Sequence, residues 1–251
     1  MYSFKYILDS LPKNKSSVSS LWVKATARPL SFPVTYLLVN MGCSANFVSI
    51  LSGFVALAGC ICLALPHLSL MWVGILLINF WLVLDCVDGN IARVTKKFSR
   101  MGEFFDGAYG YIICAFDFLA IGLAAYYYSS FLFGPKAVIN IVIGALACSF
   151  NILPRLVYQK YTVMTMTLQT NGKEMTPEND AFYDPSKRKG LTYLRLVVDR
   201  QLGTSGLFMP FLILCGFLKC FDVMGLFYCL YLGCSCIAVF ILFSLKASKI
   251  G

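Results

Sequence analysis

The amino-acid sequence predicts an all-α, polytopic integral membrane protein: a bundle of six transmembrane helices preceded by an amphipathic helix at the membrane interface. Three observations predict it. Hydrophobic residues fill 59% of the 251 positions and charged residues only 13%, whereas an ordinary soluble domain carries about 25% charged residues. Six apolar runs are long enough to be read as crossings, each crossing taking about 20 residues. Lys and Arg gather between alternate runs and avoid the others, which is the pattern of a chain threaded back and forth through a bilayer.

Residues 1–45 mix basic with aromatic and aliphatic positions, among them Lys13, Lys15, Leu21, Trp22, Lys24, Arg28, Pro29 and Phe32. Residues 21–28 read as a helix lying in the interface plane with Trp22 at headgroup depth, the alternative being a basic tail without structure. No cleaved signal peptide is expected, because the first apolar run begins only after this long mixed segment. The spans are expected at 47–65, 68–84, 104–128, 137–156, 204–218 and 224–245. Short connections at 66–67 and 129–136 make antiparallel neighbours of the helices they join. Residues 157–203 read as a cytoplasmic loop carrying the turn signals Asn171-Gly172, Thr176-Pro177 and Asp184-Pro185, then a short helix at 191–200. Residues 46–251 thus form one membrane domain.

Charge orients it. Lys5, Lys13, Lys15, Lys24 and Arg28 precede the first span, Arg93, Lys96, Lys97 and Arg100 separate the second and third, and Lys246 and Lys249 follow the last. Only Lys136 and Lys219 fall in the opposite loops. Both termini are therefore expected in the cytoplasm. The net charge of +9 reports topology and attraction to anionic headgroups, so no nucleic-acid partner is expected. The eleven cysteines sit largely inside apolar runs, as small packing residues do, and with His67 as the one histidine a zinc site is not expected.

The chemistry lies in Asp85-Cys86-Val87-Asp88-Gly89-Asn90-Ile91-Ala92-Arg93, followed after eight residues by Gly102-Glu103-Phe104-Phe105-Asp106. Asp85 and Asp88, three apart, share a helix face, and Asp106 follows Gly102 by one turn. Three acids at one membrane mouth suit a hard divalent cation, and Mg2+ is usually held by a few carboxylates together with substrate phosphates. Gly89 lets the chain turn and a ligand approach, Ala92 keeps the face open, and Arg93 can grip a phosphate. The bland alternative, interfacial charges capping a helix end, explains neither the small residues nor Asp106.

These residues resemble the signature of the CDP-alcohol phosphotransferases, also called CDP-alcohol phosphatidyltransferases: Asp-x2-Asp-Gly-x2-Ala-Arg-x8-Gly-x3-Asp-x3-Asp. Asp85, Asp88, Gly89, Ala92, Arg93, Gly102 and Asp106 match at the right spacing, and Ser44-Ala45-Asn46-Phe47-Val48-Ser49 is similar to a stretch common before the first span of that family. The resemblance implies a membrane enzyme with its site open to the cytoplasm. It would transfer a phosphoalcohol group from a CDP-linked donor, often CDP-diacylglycerol, to an acceptor hydroxyl with release of CMP. It implies Asp85, Asp88 and Asp106 as ligands of Mg2+ or Mn2+, as a pair of ions, and Asn46, Gly89, Ala92 and Arg93 on the CDP-alcohol. A homodimer among membrane lipids is implied as well.

The last signature aspartate, the family's proposed general base, is replaced by Gly110. Three consequences follow as alternatives: Asp106 or a metal-bound hydroxide takes the proton, the acceptor needs no base, or the chain binds CDP-alcohols without turnover. Asp117 is about 16 Å beyond Asp106 along a helix, too deep to substitute, and is expected to face the interior with hydrogen bonds. Arg155, Arg195 and Arg200 are candidates for binding the acceptor, or are simply the basic residues that topology puts at span ends. A transporter is the remaining rival, weakened by the lack of inverted repeats.

Overall fold

The computed structural model describes residues 2–11, 19–170 and 191–248, except the side chains of Glu103, Asp106, 166–170 and 191–196. The turn signals read between 171 and 185 lie outside this set. Among the described residues all regular structure is helical. The elements are α1 (Phe4–Asp9), α2 (Arg28–Asn40), which continues a π-helical turn at Val23–Ala27, α3 (Ala45–Ala64), α4 (Leu68–Thr95), α5 (Arg100–Tyr128), α6 (Ile139–Thr170), α7 (Leu191–Leu202), α8 (Phe208–Leu218) and α9 (Phe221–Ala247).

Local chemistry sets the boundaries. Gly42, at φ 82°, takes the left-handed turn that ends α2 while the Cys43 amide closes back on the Leu38 carbonyl at 3.0 Å. Ser44 then caps α3 by accepting from the Phe47 amide at 3.2 Å, and Ser99 caps α5 by accepting from the Gly102 amide at 2.9 Å. Between them Lys96 stops α4 in the left-handed conformation, φ 54°.

Helices α3, α4, α5, α6 and α9 are each long and apolar enough to cross a membrane. The helix α8, with 11 residues, spans only about 16 Å, so the expected span at 204–218 is not one uninterrupted helix. Its first residues form a break at 203–207, where the Gly206 amide bonds the Gly203 carbonyl and the Leu207 amide the Gln201 carbonyl. The N-terminal segment straps this break: Ser20 Oγ donates to the Ser205 carbonyl at 2.5 Å and the Leu21 amide to Gln201 Oε1 at 3.1 Å. Phe208, which opens α8, packs on Phe118 with centroids 5.4 Å apart, about 27 Å along α5 from Arg100.

Three further boundaries differ from expectation. The chain does not turn at Gly89, because α4 continues to Thr95 and carries the whole acidic motif on helix. The helix α6 runs on to Thr170 despite Pro154, since no Gly or Pro falls between Pro154 and Thr170. The interfacial helix expected at 21–28 continues through α2 to Asn40.

The hairpin α3/α4 packs most extensively, and α5 sits centrally against α3, α6 and α9. Small residues permit these approaches: a Cβ at Gly74 would meet the Gly59 carbonyl at 2.7 Å, and one at Gly122 would meet the Asn140 carbonyl at 2.6 Å. At the end of the bundle away from the motif, Ser129 accepts from the Phe221 amide at 2.8 Å and Asp222 from the Leu132 amide at 2.7 Å. All eleven cysteines are free thiols, in keeping with their packing role.

Candidate active site

The motif lines a cleft of about 500 Å3 where the first turn of α3, the last turns of α4 and the start of α5 converge. Asn46, Ser49, Asp88, Gly89, Ala92 and Arg93 face it, with Lys97, Arg100 and Gly102 at its rim. Asp88 and Arg93 are both held in place. Asp88 Oδ2 accepts from Ser49 Oγ at 2.6 Å, which couples α4 to α3. Arg93 donates through Nη2 to Asn90 Oδ1 at 2.5 Å. The buried Asn90 in turn donates to Ser31 Oγ at 3.0 Å and Thr35 Oγ1 at 3.1 Å. The helix α2 therefore orients the arginine through one intermediary. Arg93 Nε is buried without a hydrogen-bond partner, which leaves a donor available to an anion.

Gly102 serves a purpose its spacing did not reveal. A Cβ there would meet Asn46 Oδ1 at 2.6 Å, and that same oxygen accepts from Ser99 Oγ at 3.0 Å. The room the glycine provides is used by Asn46. Gly89 likewise lets the Arg93 guanidinium lie along α4, since a Cβ would stand 3.3 Å from Nη1.

Asp85 opens on a neighbouring crevice of about 220 Å3, lined also by Arg28, Cys86, Arg200 and Ser205. The two aspartates of α4 thus serve adjoining recesses. Asp106 occupies its expected place on α5, one turn after Gly102, and its side chain lies outside the described set. Among the described residues no group of three metal-binding side chains assembles. The donors that are described, Asp85 and Asp88, are carboxylates one helical turn apart, a hard-oxygen pair that suits Mg2+ or Mn2+.

At Gly110 a Cβ would meet nothing within 4 Å. Position 110 therefore opens on free space. Its neighbours point elsewhere: the Tyr109 ring packs on Gly53 of α3, and the Tyr111 hydroxyl accepts from Gln159 Nε2 at 2.6 Å. Arg155 stands over the Tyr111 ring, 5.7 Å from its centroid.

Arg155 and Arg200 both line a chamber of about 290 Å3 between α6, α9 and the break at 203–207. Arg195 lies in α7, its side chain outside the described set. Asp117 is interior, as expected, but only half satisfied: Oδ1 accepts from the Phe118 amide at 2.7 Å and Oδ2 has no partner.

Sequence reading missed Ser49 and Asn90 as positioning residues. Both stand inside stretches it had singled out, so a hydroxyl one turn after Asn46 and an amide between Asp88 and Arg93 were the available signals.

None of the curated proteins compared with the chain matches it. The family model for CDP-alcohol phosphatidyltransferase matches residues 42–172, just over half of the chain, from the turn before α3 to past the end of α6. That stretch holds the cleft with Asn46, Asp88 and Arg93, together with Asp85 and Asp106 of the motif, and on this match the chain belongs to the CDP-alcohol phosphatidyltransferase family.

Proposed function

We propose that the protein is a metal-dependent membrane transferase. It moves a phosphoalcohol group from a CDP-alcohol donor to an acceptor hydroxyl and releases CMP, in phospholipid or related phosphodiester synthesis. The observation that carries this reading is the pairing of Asp88, anchored by Ser49, with Arg93, whose Nε is buried and unpartnered, in one cleft. A carboxylate for a hard cation and a guanidinium for an anion in the same recess suit a pyrophosphate.

In this reading Arg93 holds a donor phosphate and Asn46, Gly89 and Ala92 border the nucleotide. The acceptor oxygen forms a bond to the phosphorus that bears the donor's alcohol. The bond from that phosphorus to the bridging oxygen breaks, and CMP leaves with the bond's electron pair. Asp85, Asp88 and Asp106 would hold Mg2+ or Mn2+, as two ions, which when bound neutralise charge on the pyrophosphate and on departing CMP. The acceptor's proton goes to Asp106, since Gly110 has no side chain to take it.

The acceptor enters from the chamber, where Arg155 and Arg200, with Arg195 nearby in α7, offer charge for an anionic group. Arg200 and Ser205 line both this chamber and the Asp85 crevice, which supports a route between them. Six crossings are proposed, the sixth being the broken unit α7–α8. The support is that Phe221 starts α9 beside Ser129, at the end away from the motif. Both termini and the site then face the cytoplasm, in a homodimer surrounded by lipid.

A second reading, CDP-alcohol binding without turnover, is favoured by the open space at Gly110. Purified full-length protein given radiolabelled CDP-diacylglycerol and candidate acceptors tests both. The transferase releases CMP with Mg2+ or Mn2+ and none with EDTA. Nucleotide binding without CMP release, turning to release in Gly110→Asp, establishes the second reading instead.

A further inference from the structure

A second recess, of about 340 Å3, opens beside the cleft at the end of α4. Tyr6, Asp9 and Ser10, in and just after α1, form one wall, Arg93 and Lys96 the other, and Phe98 of the connection to α5 completes the lining. The α1 wall is fixed. Ile7 is fully buried, the Tyr2 amide donates to Asn40 Oδ1 at 2.8 Å and Asn40 Nδ2 donates to the Tyr2 carbonyl at 3.2 Å, so α1 is pinned to the end of α2. Asp9 and Lys96 line this recess without closing on each other. Among the described residues neither side chain has a hydrogen bond or an ion pair. The Arg93 guanidinium is turned to Asn90, which leaves Lys96 as the cation that a ligand here would meet. An acid and a base held apart across one recess complement a ligand that carries both charges.

We propose that this recess binds the headgroup of a membrane phospholipid of the ethanolamine type, with its phosphate on Lys96 and its ammonium on Asp9. Every lining residue has a part. An ammonium brings three N–H donors for the Asp9 carboxylate. Ser10 Oγ donates to the Ile7 carbonyl at 2.7 Å and keeps lone pairs to accept from the same group. The Tyr6 and Phe98 rings offer π faces to a cation, and Arg93 adds positive charge on the phosphate side. Other headgroups fit less well. Glycerol or inositol brings no cation for Asp9, choline brings a cation without N–H donors, and serine adds a carboxylate that would stand against Asp9. The surroundings indicate a lipid and not a soluble zwitterion: Phe4, Leu8, Leu37 and Met41 of α1 and α2, with Phe98 and Met101, expose apolar side chains at the end of the candidate span α4. Aromatic and aliphatic groups at the end of a span lie at headgroup depth. The α1 wall is outside residues 42–172, the stretch matched by the family model, and the site stands whether or not the protein releases CMP.

The test offers phosphatidylethanolamine and phosphatidylglycerol together to full-length protein purified in detergent, and native mass spectrometry reads which lipid is retained. Wild type, Asp9→Asn and Lys96→Gln are compared, and an unchanged Tm certifies the fold of each variant, both substitutions being at exposed positions. The wild type should retain phosphatidylethanolamine in preference. Asp9→Asn should weaken that lipid about fivefold and remove the preference, whereas Lys96→Gln should weaken both lipids by about the same factor. A carbodiimide joins a carboxylate to an amine paired with it, so it should attach phosphatidylethanolamine to Asp9, as read by peptide mass spectrometry. Equal retention of the two lipids by the wild type, a preference that survives Asp9→Asn, or attachment to other carboxylates but not to Asp9 would overturn the proposal. So would free phosphoethanolamine that competes as well as the lipid, because the ligand would then be a soluble zwitterion.

Discussion

In the cleft at the mouth of α3, α4 and α5, the polar side chains are tied to one another before any ligand arrives: Ser49 to Asp88, Asn90 to Arg93, Ser99 to Asn46. In the chamber between α6, α9 and the break at 203–207, Tyr228 has a buried hydroxyl with no hydrogen-bond partner. The difference teaches which region is built to be rigid. A site that must hold charge is held rigid by a supporting shell, so that little reorganisation accompanies binding. The chamber, where the Tyr228 hydroxyl stays unpaired, has no such supporting bond at that group.

Perturbing the cleft should have the largest effects. Asp88→Asn removes a charge that Ser49 fixes in place, and CMP release should fall on the order of 10³-fold, the equivalent of several kcal/mol of charge stabilisation. A comparable rate in this variant, measured with radiolabelled donor, would take Asp88 out of the reacting site. Gly110→Asp should act in the opposite direction. The space is open, so the variant should fold, and a positioned base should raise CMP release by about 10²-fold. An unchanged rate would mean that deprotonation of the acceptor is not limiting.

A smaller effect separates support from contact. Ser49→Ala leaves the cleft's charges but frees Asp88, and half-saturation by Mn2+ in the CMP-release assay should rise about 10- to 100-fold. If metal dependence is unmoved, the Ser49–Asp88 bond is only a helix clasp. The smallest effect belongs to the chamber. Arg155→Ala should raise KM for an anionic acceptor about tenfold while KM for the CDP donor stays as it was. A shift in donor KM instead would erase the distinction between the two regions.

Much of the cleft was legible in the residues. Asp85, Asp88 and Arg93 lie within one stretch of helix, where spacing alone decides which faces they share. Their supports were not legible, because Ser49 and Asp88 are 39 positions apart and Asn90 and Ser31 are 59 apart, and no helical period links such pairs. The spacing puts Gly102 one turn before Asp106, whereas the group that takes up the room the glycine leaves is Asn46.

The break before α8 was hidden for a similar reason. Residues 204–218 are apolar enough to suggest a span, but the helix starts only at Phe208, and the strap from Ser20 to the Ser205 carbonyl joins segments 185 positions apart. By itself the sequence determined the helical class, the apolar crossings and the acidic motif, since hydropathy, helical period and capping act over a few turns of chain. Only the tertiary structure decided that Arg155 and Arg200 line one chamber, that the Tyr228 hydroxyl is left without a partner and that Gly110 faces open space. Each of these depends on how helices distant in sequence pack, and that is set by the close fit of their side chains.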